Sequence, residues 1–152
     1  MPGTIQMENN HQGVLLKMSG LVSGREIIDL NREIYARDPE EKLRYQIWDF
    51  TGANRMEVSP EELHIITLED KEEAARNPNQ LVALVGSPRQ LNGVDVTYQV
   101  FSQTWIGDGF QSESFRNLHE ARQWIEHVLS SRFETQSHQV KNSRARSQDK
   151  PG

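Results

Sequence analysis

Leu81-Val82-Ala83-Leu84-Val85 is the longest unbroken apolar run in the chain, and Gly86-Ser87-Pro88-Arg89 ends it. Such a run shows neither the alternation of a half-solvated strand nor the stripe of a surface helix. Its length and its flanks predict a strand buried on both faces, as parallel strands inside an α/β sheet are. Helices must then cover that sheet on both sides.

Working outward, Ser59-Pro60-Glu61-Glu62 lies upstream of the run. It has the form of a capping box with proline at the first helical position, where a missing N–H costs nothing. The helix it opens should run to about Arg76, carrying Leu63, Ile66 and Ala74 inward, and Asn77-Pro78-Asn79-Gln80 should stop it. Before it, residues 44–50 form an apolar-rich run of strand length, followed by a loop over Thr51-Gly52-Ala53-Asn54-Arg55-Met56. Ser23-Gly24-Arg25-Glu26 is another capping box, and Ile27, Leu30 and Ile34 after it share one helical face. Residues 4–7 and 13–18 are strand candidates around the turn-like Glu8–Gln12 stretch, which together predict an opening hairpin.

Downstream of the central run, Gly86-Ser87-Pro88-Arg89 is expected to be a loop. Residues 96–105 should be a helix with Val96, Val100, Phe101 and Trp105 on one side, ended by Gly107-Asp108-Gly109. A last strand over 110–115 precedes a third capping pattern, Asn117-Leu118-His119-Glu120, and a helix carrying Ala121, Trp124, Ile125, Val128 and Leu129. The expected order is β-β-α-β-α-β-α-β-α, an α/β domain with a mostly parallel five-stranded sheet covered by helices.

At 152 residues the chain suits one domain. From Ser130 onward the composition is Ser, Gln, Arg, Asn and Lys with almost no apolar residues. The expected division is a domain over 1–131 and a disordered basic tail over 132–152. In that tail Arg132, Lys141, Arg144, Arg146 and Lys150 outnumber Glu134 and Asp149, so the preceding body is more acidic than the whole chain's net −5. An acidic body argues against a nucleic-acid partner, since phosphate contacts need clustered cations. The chain has no cysteine, which removes disulfides, thiolate metal sites and cysteine nucleophiles and suits a reducing, cytoplasmic location. No apolar run approaches the ~18 residues of a membrane span, and no signal peptide is expected.

Several stretches together resemble the SpoIIAA-like branch of the STAS (STAS/Sec14-type) fold. They are Gly20-Leu-Val-Ser-Gly-Arg-Glu26, Ile47-Trp-Asp-Phe-Thr51, Val58-Ser-Pro-Glu-Glu-Leu63, Leu81-Val-Ala-Leu-Val-Gly86 and the closing Phe115-Arg-Asn-Leu-His-Glu-Ala-Arg-Gln-Trp-Ile125. The resemblance covers residues 13–129 and implies a regulatory domain that binds and does not turn over substrate. Anti-sigma-factor antagonists of that fold carry a phosphorylatable serine in an Asp-Ser-Ser-Gly-Leu type motif where the helix after the third strand begins. The corresponding stretch here is Glu57-Val-Ser-Pro-Glu-Glu62, in which Ser59 matches in role and approximate place while Pro60 stands where Gly-Leu would follow.

Two candidate sites follow. Asp49, Thr51 and Ser59 lie where the third strand ends, the end at which open α/β sheets place ligands. They are the candidate regulatory or partner-facing residues, although Ser59 is first a helix cap and Asp49 first a cap for the loop backbone. Tyr98, Phe101 and Trp105 recur at helical spacing and are read first as core, second as the wall of an apolar pocket. Glu69-Asp70-Lys71-Glu72-Glu73 reads as a solvated helix face. His11, His64, His119, His127 and His138 show no metal-ligand spacing, and neither a phosphate-binding loop nor a nucleophile elbow is present. No cofactor, no enzyme activity and no integral membrane association is therefore expected. The first functional reading is a protein-interaction module with its partner surface around residues 51–59. The alternative is a carrier of a small, lipid-like apolar ligand, held between the sheet and the helix bearing Tyr98 and Trp105.

Overall fold

The computed structural model describes residues 3–37, 42–105 and 110–148, with only the backbone described for 101–105 and 134–148. It forms two compact units, Met1–Ala121 and Arg122–Gly152. The elements are β1 (Thr4–Glu8), β2 (Gly13–Ser23), α1 (Gly24–Tyr35), β3 (Tyr45–Glu57), α2 (Pro60–Arg76), β4 (Gln80–Val85), α3 (Pro88–Leu91), α4 (Val94–Trp105), β5 (Phe110–Phe115) and α5 (Leu118–Gln148). The strands form one sheet in the order β1-β2-β3-β4-β5. β1 and β2 are the antiparallel hairpin that the sequence predicts, and the other three pairings are parallel.

The apolar run is β4, an internal strand buried along its whole length. Its alternate residues Val82 and Leu84 join Val14, Leu16, Met18, Trp48 and Phe50 in one core cluster with Ile27, Leu30, Ile34, Leu63, Ile66 and Tyr98 of the helices. Residues of the opposite parity, Leu15, Ile47, Leu81, Ala83 and Val85, are buried as well. Burial on both faces is why the run has no polar interruption.

Four features differ from the sequence reading. Residues 51–56 are not a loop: β3 continues through them to Glu57, paired with β2 alone, because β4 pairs with β3 only as far as Asp49. The extension contains two register shifts, between Lys17 and Ser19 and between Gly20 and Leu21, with extra residues on β3. Such bulges need small residues. A Cβ on Gly52 would sit 3.0 Å from the Met18 carbonyl oxygen, and Gly20 has φ +67°. The loop-like composition records these bulges, not a break in the strand.

The expected loop after β4 contains a one-turn helix, α3, opened by a second Ser-Pro capping box, with Ser87 Oγ accepting from Gln90 N and Gln90 Oε1 accepting from Ser87 N. In α4 the buried side is Tyr98, with Val94 packed against the core, while Val96 and Val100 are 59% and 54% exposed. The side chains of Phe101 and Trp105 lie outside the described residues. Finally, α5 is helical through Gln148, past Ser130, in the segment for which composition predicts no fixed structure. Its Glu, Gln, Arg and Lys residues are good helix formers even where no apolar stripe is present. Among the described residues no helix is long and apolar enough to cross a membrane.

Candidate functional site

At the carboxyl ends of the strands the first candidate site divides into two local motifs. Asp49 is buried at the first bulge of β3, where its Oδ1 accepts from Thr51 N at 3.0 Å and from Thr51 Oγ1 at 2.6 Å. The carboxylate thus supplies the acceptor that the bulge leaves missing. Ser59 caps α2: its Oγ accepts from Glu62 N at 3.1 Å, and Glu62 Oε1 accepts from Ser59 N at 3.0 Å. No hydrogen bond joins the Asp49–Thr51 pair to the Ser59–Glu62 pair among the described residues. Nucleophilic chemistry needs a hydroxyl beside a base, whereas the Ser59 hydroxyl faces a backbone amide. As a cap, Ser59 is expected to lose ~0.5–2 kcal/mol of stability on Ser59→Ala and almost nothing on Ser59→Asp, measured by urea denaturation. A similar loss in both variants would show that the serine side chain has a further contact.

Beyond Asp49 the outer edge of β3 is met by α3. Gln90 Nε2 donates to the carbonyls of Thr51 at 2.7 Å and Ala53 at 3.2 Å, and Asn92 Nδ2 donates to that of Met56 at 3.2 Å. On the other side β2 carries Leu21, 60% exposed and paired with Arg55. The result is a two-stranded ribbon projecting past the rest of the sheet, ending beside Ser59.

The second candidate site contains a group the sequence reading misplaces. Asp70 is not on a solvated face: it is 4% exposed, on the side of α2 that carries Leu63, Ile66 and Ala74. Its Oδ1 accepts from Asn31 Nδ2 at 3.0 Å and from Tyr35 Oη at 2.6 Å, and its Oδ2 from Tyr98 Oη at 2.5 Å. The network continues inward. Gln46 Nε2 donates to Tyr35 Oη and to Gln80 Oε1, both at 3.0 Å, and Trp48 Nε1 donates to Gln46 Oε1 at 3.1 Å. Three helices and two strands thus share one buried polar chain. Burial pushes the Asp70 carboxyl above its usual range, against the pull of Tyr35, Tyr98 and Asn31 in the other direction. Both tyrosines are pushed well up, first by burial and then by the Asp70 charge.

Beside Asp70 is a cavity of about 40 Å³ whose walls include Trp48, Phe50, Val82, Leu84, Asp95 and Tyr98. It lies between α4 and the sheet, where an apolar pocket is expected, and Tyr98 is the one expected pocket residue whose side chain is described there. Pockets for small organic ligands run to ~300–1,000 Å³, so this one has room only for a few atoms. Among the described residues no group of three or more His, Cys, Asp or Glu is placed to hold a metal ion.

No protein-family model matches the chain, and no curated protein matches it in sequence. Solved structures do match. The anti-sigma factor antagonist SpoIIAA in its unphosphorylated form aligns with a TM-score of 0.50 at 15% identity, over 82% of this chain and 96% of that one. SpoIIAA, the Bacillus cell fate determinant, in its phosphorylated form aligns at 0.48 and 14% identity, over 81% and 98%. With one antiparallel pair opening an otherwise parallel five-stranded sheet, and with nearly all of SpoIIAA covered, this chain has the SpoIIAA-like, STAS-like α/β fold.

Proposed function

We propose that the protein is a non-catalytic regulatory module that acts in the cytoplasm by binding another protein, through the ribbon of β2 and β3 that projects beside Ser59. The observation that carries this reading is the exposed Leu21 on that ribbon, at the strand ends where the candidate residues Thr51 and Ser59 lie. An exposed leucine with Arg55 opposite it on the ribbon suits the apolar centre of a small recognition patch. The fold shared with an anti-sigma factor antagonist agrees with such a role. Asp49, Thr51 and Ser59 serve the surface by holding its backbone, through the bulge and the cap. A lipid-like ligand has less support, because the cavity under α4 is small.

Photo-crosslinking in the native host tests the proposal. A crosslinker in place of Leu21 or Arg55 is expected to capture one discrete protein, and a crosslinker at His11, in the β1–β2 turn at the other end of β2, is not. Leu21→Glu with unchanged melting temperature should abolish the capture by the Arg55 probe. Equal capture from both ends of the sheet, or capture that survives Leu21→Glu, would reject the ribbon as the partner surface.

A further inference from the structure

Six large apolar side chains are exposed among the described residues, and four of them lie on two neighbouring helices. Ile65 and Leu68 stand on α2, Val96 and Val100 on α4; the other two are Leu21 and Phe133. A spacing of three or four residues puts each pair on one face of its helix. The hydrogen bond from Tyr98 to Asp70 ties the two helices at one level. Leu68 is two residues before Asp70, and Val96 and Val100 are two residues to either side of Tyr98. The four side chains thus share the outer surface of the layer that α2 and α4 form. Acids frame it. Glu61 and Glu72, both exposed, stand four residues before Ile65 and four after Leu68, and Asp95 adjoins Val96. Arg32 and Arg76 are held by Glu69 and Glu73, and Lys71 is the other basic residue of α2 besides His64. Scattered exposed apolar residues need no explanation, whereas a cluster rimmed by charge marks a surface that another molecule covers.

The chain itself contains a segment of matching chemistry. From Arg132 onward cations outnumber acids, in a chain whose net charge is −5. Phe133 is 71% exposed at the start of that segment, which continues α5. Phe133, Ser137, Val140 and Arg144 repeat the helical spacing of Glu61, Ile65, Leu68 and Glu72, with apolar and charged positions that complement them. A helix of mostly polar residues is marginal in water by itself, and helices in proteins are held chiefly by an apolar contact.

The geometry of α5 decides between one molecule and two. It is unbroken from Leu118 to Gln148, and 31 residues make a rod of about 47 Å. Ala121, in its first turn, is buried but outside the core cluster that α1, α2 and α4 share with the sheet. A rod that starts across the sheet from α2 and α4 would have to break to reach their outer surface in its own molecule. Reaching that surface on a second molecule requires no break.

We propose that the chain pairs with itself by exchange. The basic end of α5, from Phe133 on, lies on the surface of Ile65, Leu68, Val96 and Val100 of a second copy, whose α5 does the same in return. Phe133 and Val140 supply the apolar contact, and Lys141 and Arg144 answer Glu61 and Glu72. A two-fold exchange occupies both surfaces of both molecules and so closes at the dimer. This pairing is additional to the ribbon beside Ser59 and does not depend on it.

The absence of cysteine gives a direct test, since Ser147→Cys then carries a single spin label. Spin-labelled chain is mixed with ¹⁵N chain that has no spin label, so that any paramagnetic broadening in the NMR spectrum is intermolecular. Up to about 1 mM chain, where even weak association registers, the amides of residues 65–68 and 96–100 should broaden. Those of the β1–β2 turn at His11 should not, and sedimentation equilibrium should show a dimer. Leu68→Glu with unchanged melting temperature should abolish both signals. Lys141→Glu with Arg144→Glu should weaken the dimer by about tenfold or more, and adding Glu61→Arg and Glu72→Arg should restore it. Salt at about 0.5 M should weaken the wild-type dimer several-fold. A monomer at all concentrations, or broadening spread evenly over the surface, overturns the proposal. So does a dimer that survives Leu68→Glu or is indifferent to reversal of the tail charges. Broadening of the same amides only when spin label and ¹⁵N share one chain also overturns it, since the tail would then reach its own molecule.

Discussion

Asp70→Ala is expected to destabilise the protein by about 3–5 kcal/mol, a large part of a typical domain's ~5–15 kcal/mol. The carboxylate is the common acceptor for the Asn31 amide, the Tyr35 hydroxyl and the Tyr98 hydroxyl. Truncation leaves those donors facing each other, each unsatisfied buried group costing ~1–3 kcal/mol unless water enters the enlarged cavity. Asp70→Asn is the informative partner. Its Oδ1 keeps Asn31 and Tyr35 and it buries no charge, but the Tyr98 hydroxyl loses its acceptor, so its loss should be ~1–3 kcal/mol, below that of Asp70→Ala. Urea denaturation of both variants at neutral pH measures the difference. Comparable losses in the two would mean that the negative charge, and not the acceptor, holds the network together.

Trp48→Ala is expected to cost about 3–5 kcal/mol, as aromatic truncations in cores do. Trp48 is buried in the first part of β3, stacked against Phe50 with ring centroids 6.4 Å apart, and its ring already borders the cavity beside Asp70. Removing the indole would extend existing empty space, so the surroundings have little to collapse with. It also takes the donor from Gln46 Oε1. Trp48→Phe keeps a ring and loses that hydrogen bond, and should cost about 1–2 kcal/mol. The midpoint of urea unfolding, followed by far-ultraviolet circular dichroism, separates the two. A loss below ~1 kcal/mol for Trp48→Ala would show that the cavity wall can close around the gap.

How much of this is legible in the sequence depends on the range of the interactions. β4, the opening hairpin and the caps at Ser23 and Ser59 follow from patterns a few residues long, and the structure has them. α3 had an equally local signal, since Ser87-Pro88-Arg89-Gln90 repeats the form of Ser59-Pro60-Glu61-Glu62, but a single turn carries no apolar stripe to draw notice. The extension of β3 is legible only through its pairing with β2, which lies more than 30 residues away in sequence. Asp70 was half legible. Its spacing from Leu63, Ile66 and Ala74 puts it on the inward face, whereas its charge and its acidic neighbours argue for solvent. What overrides the charge is three donors 28, 35 and 39 residues distant. Asp49 and Ser59, whose partners are two and three residues away, are engaged as caps, as their sequence context predicts.

The side-chain amides of Gln90 and Asn92 have a consequence for the behaviour of the chain in concentrated solution. A bare strand edge of several residues is a template on which another molecule's strand can build, and so a route to self-association. On the projecting part of β3 the carbonyls that such a strand would need are already taken, by amides chemically like those of a backbone. A short helical turn thereby does the work of a sixth strand without offering an edge of its own, and β3 can extend beyond the sheet without inviting aggregation.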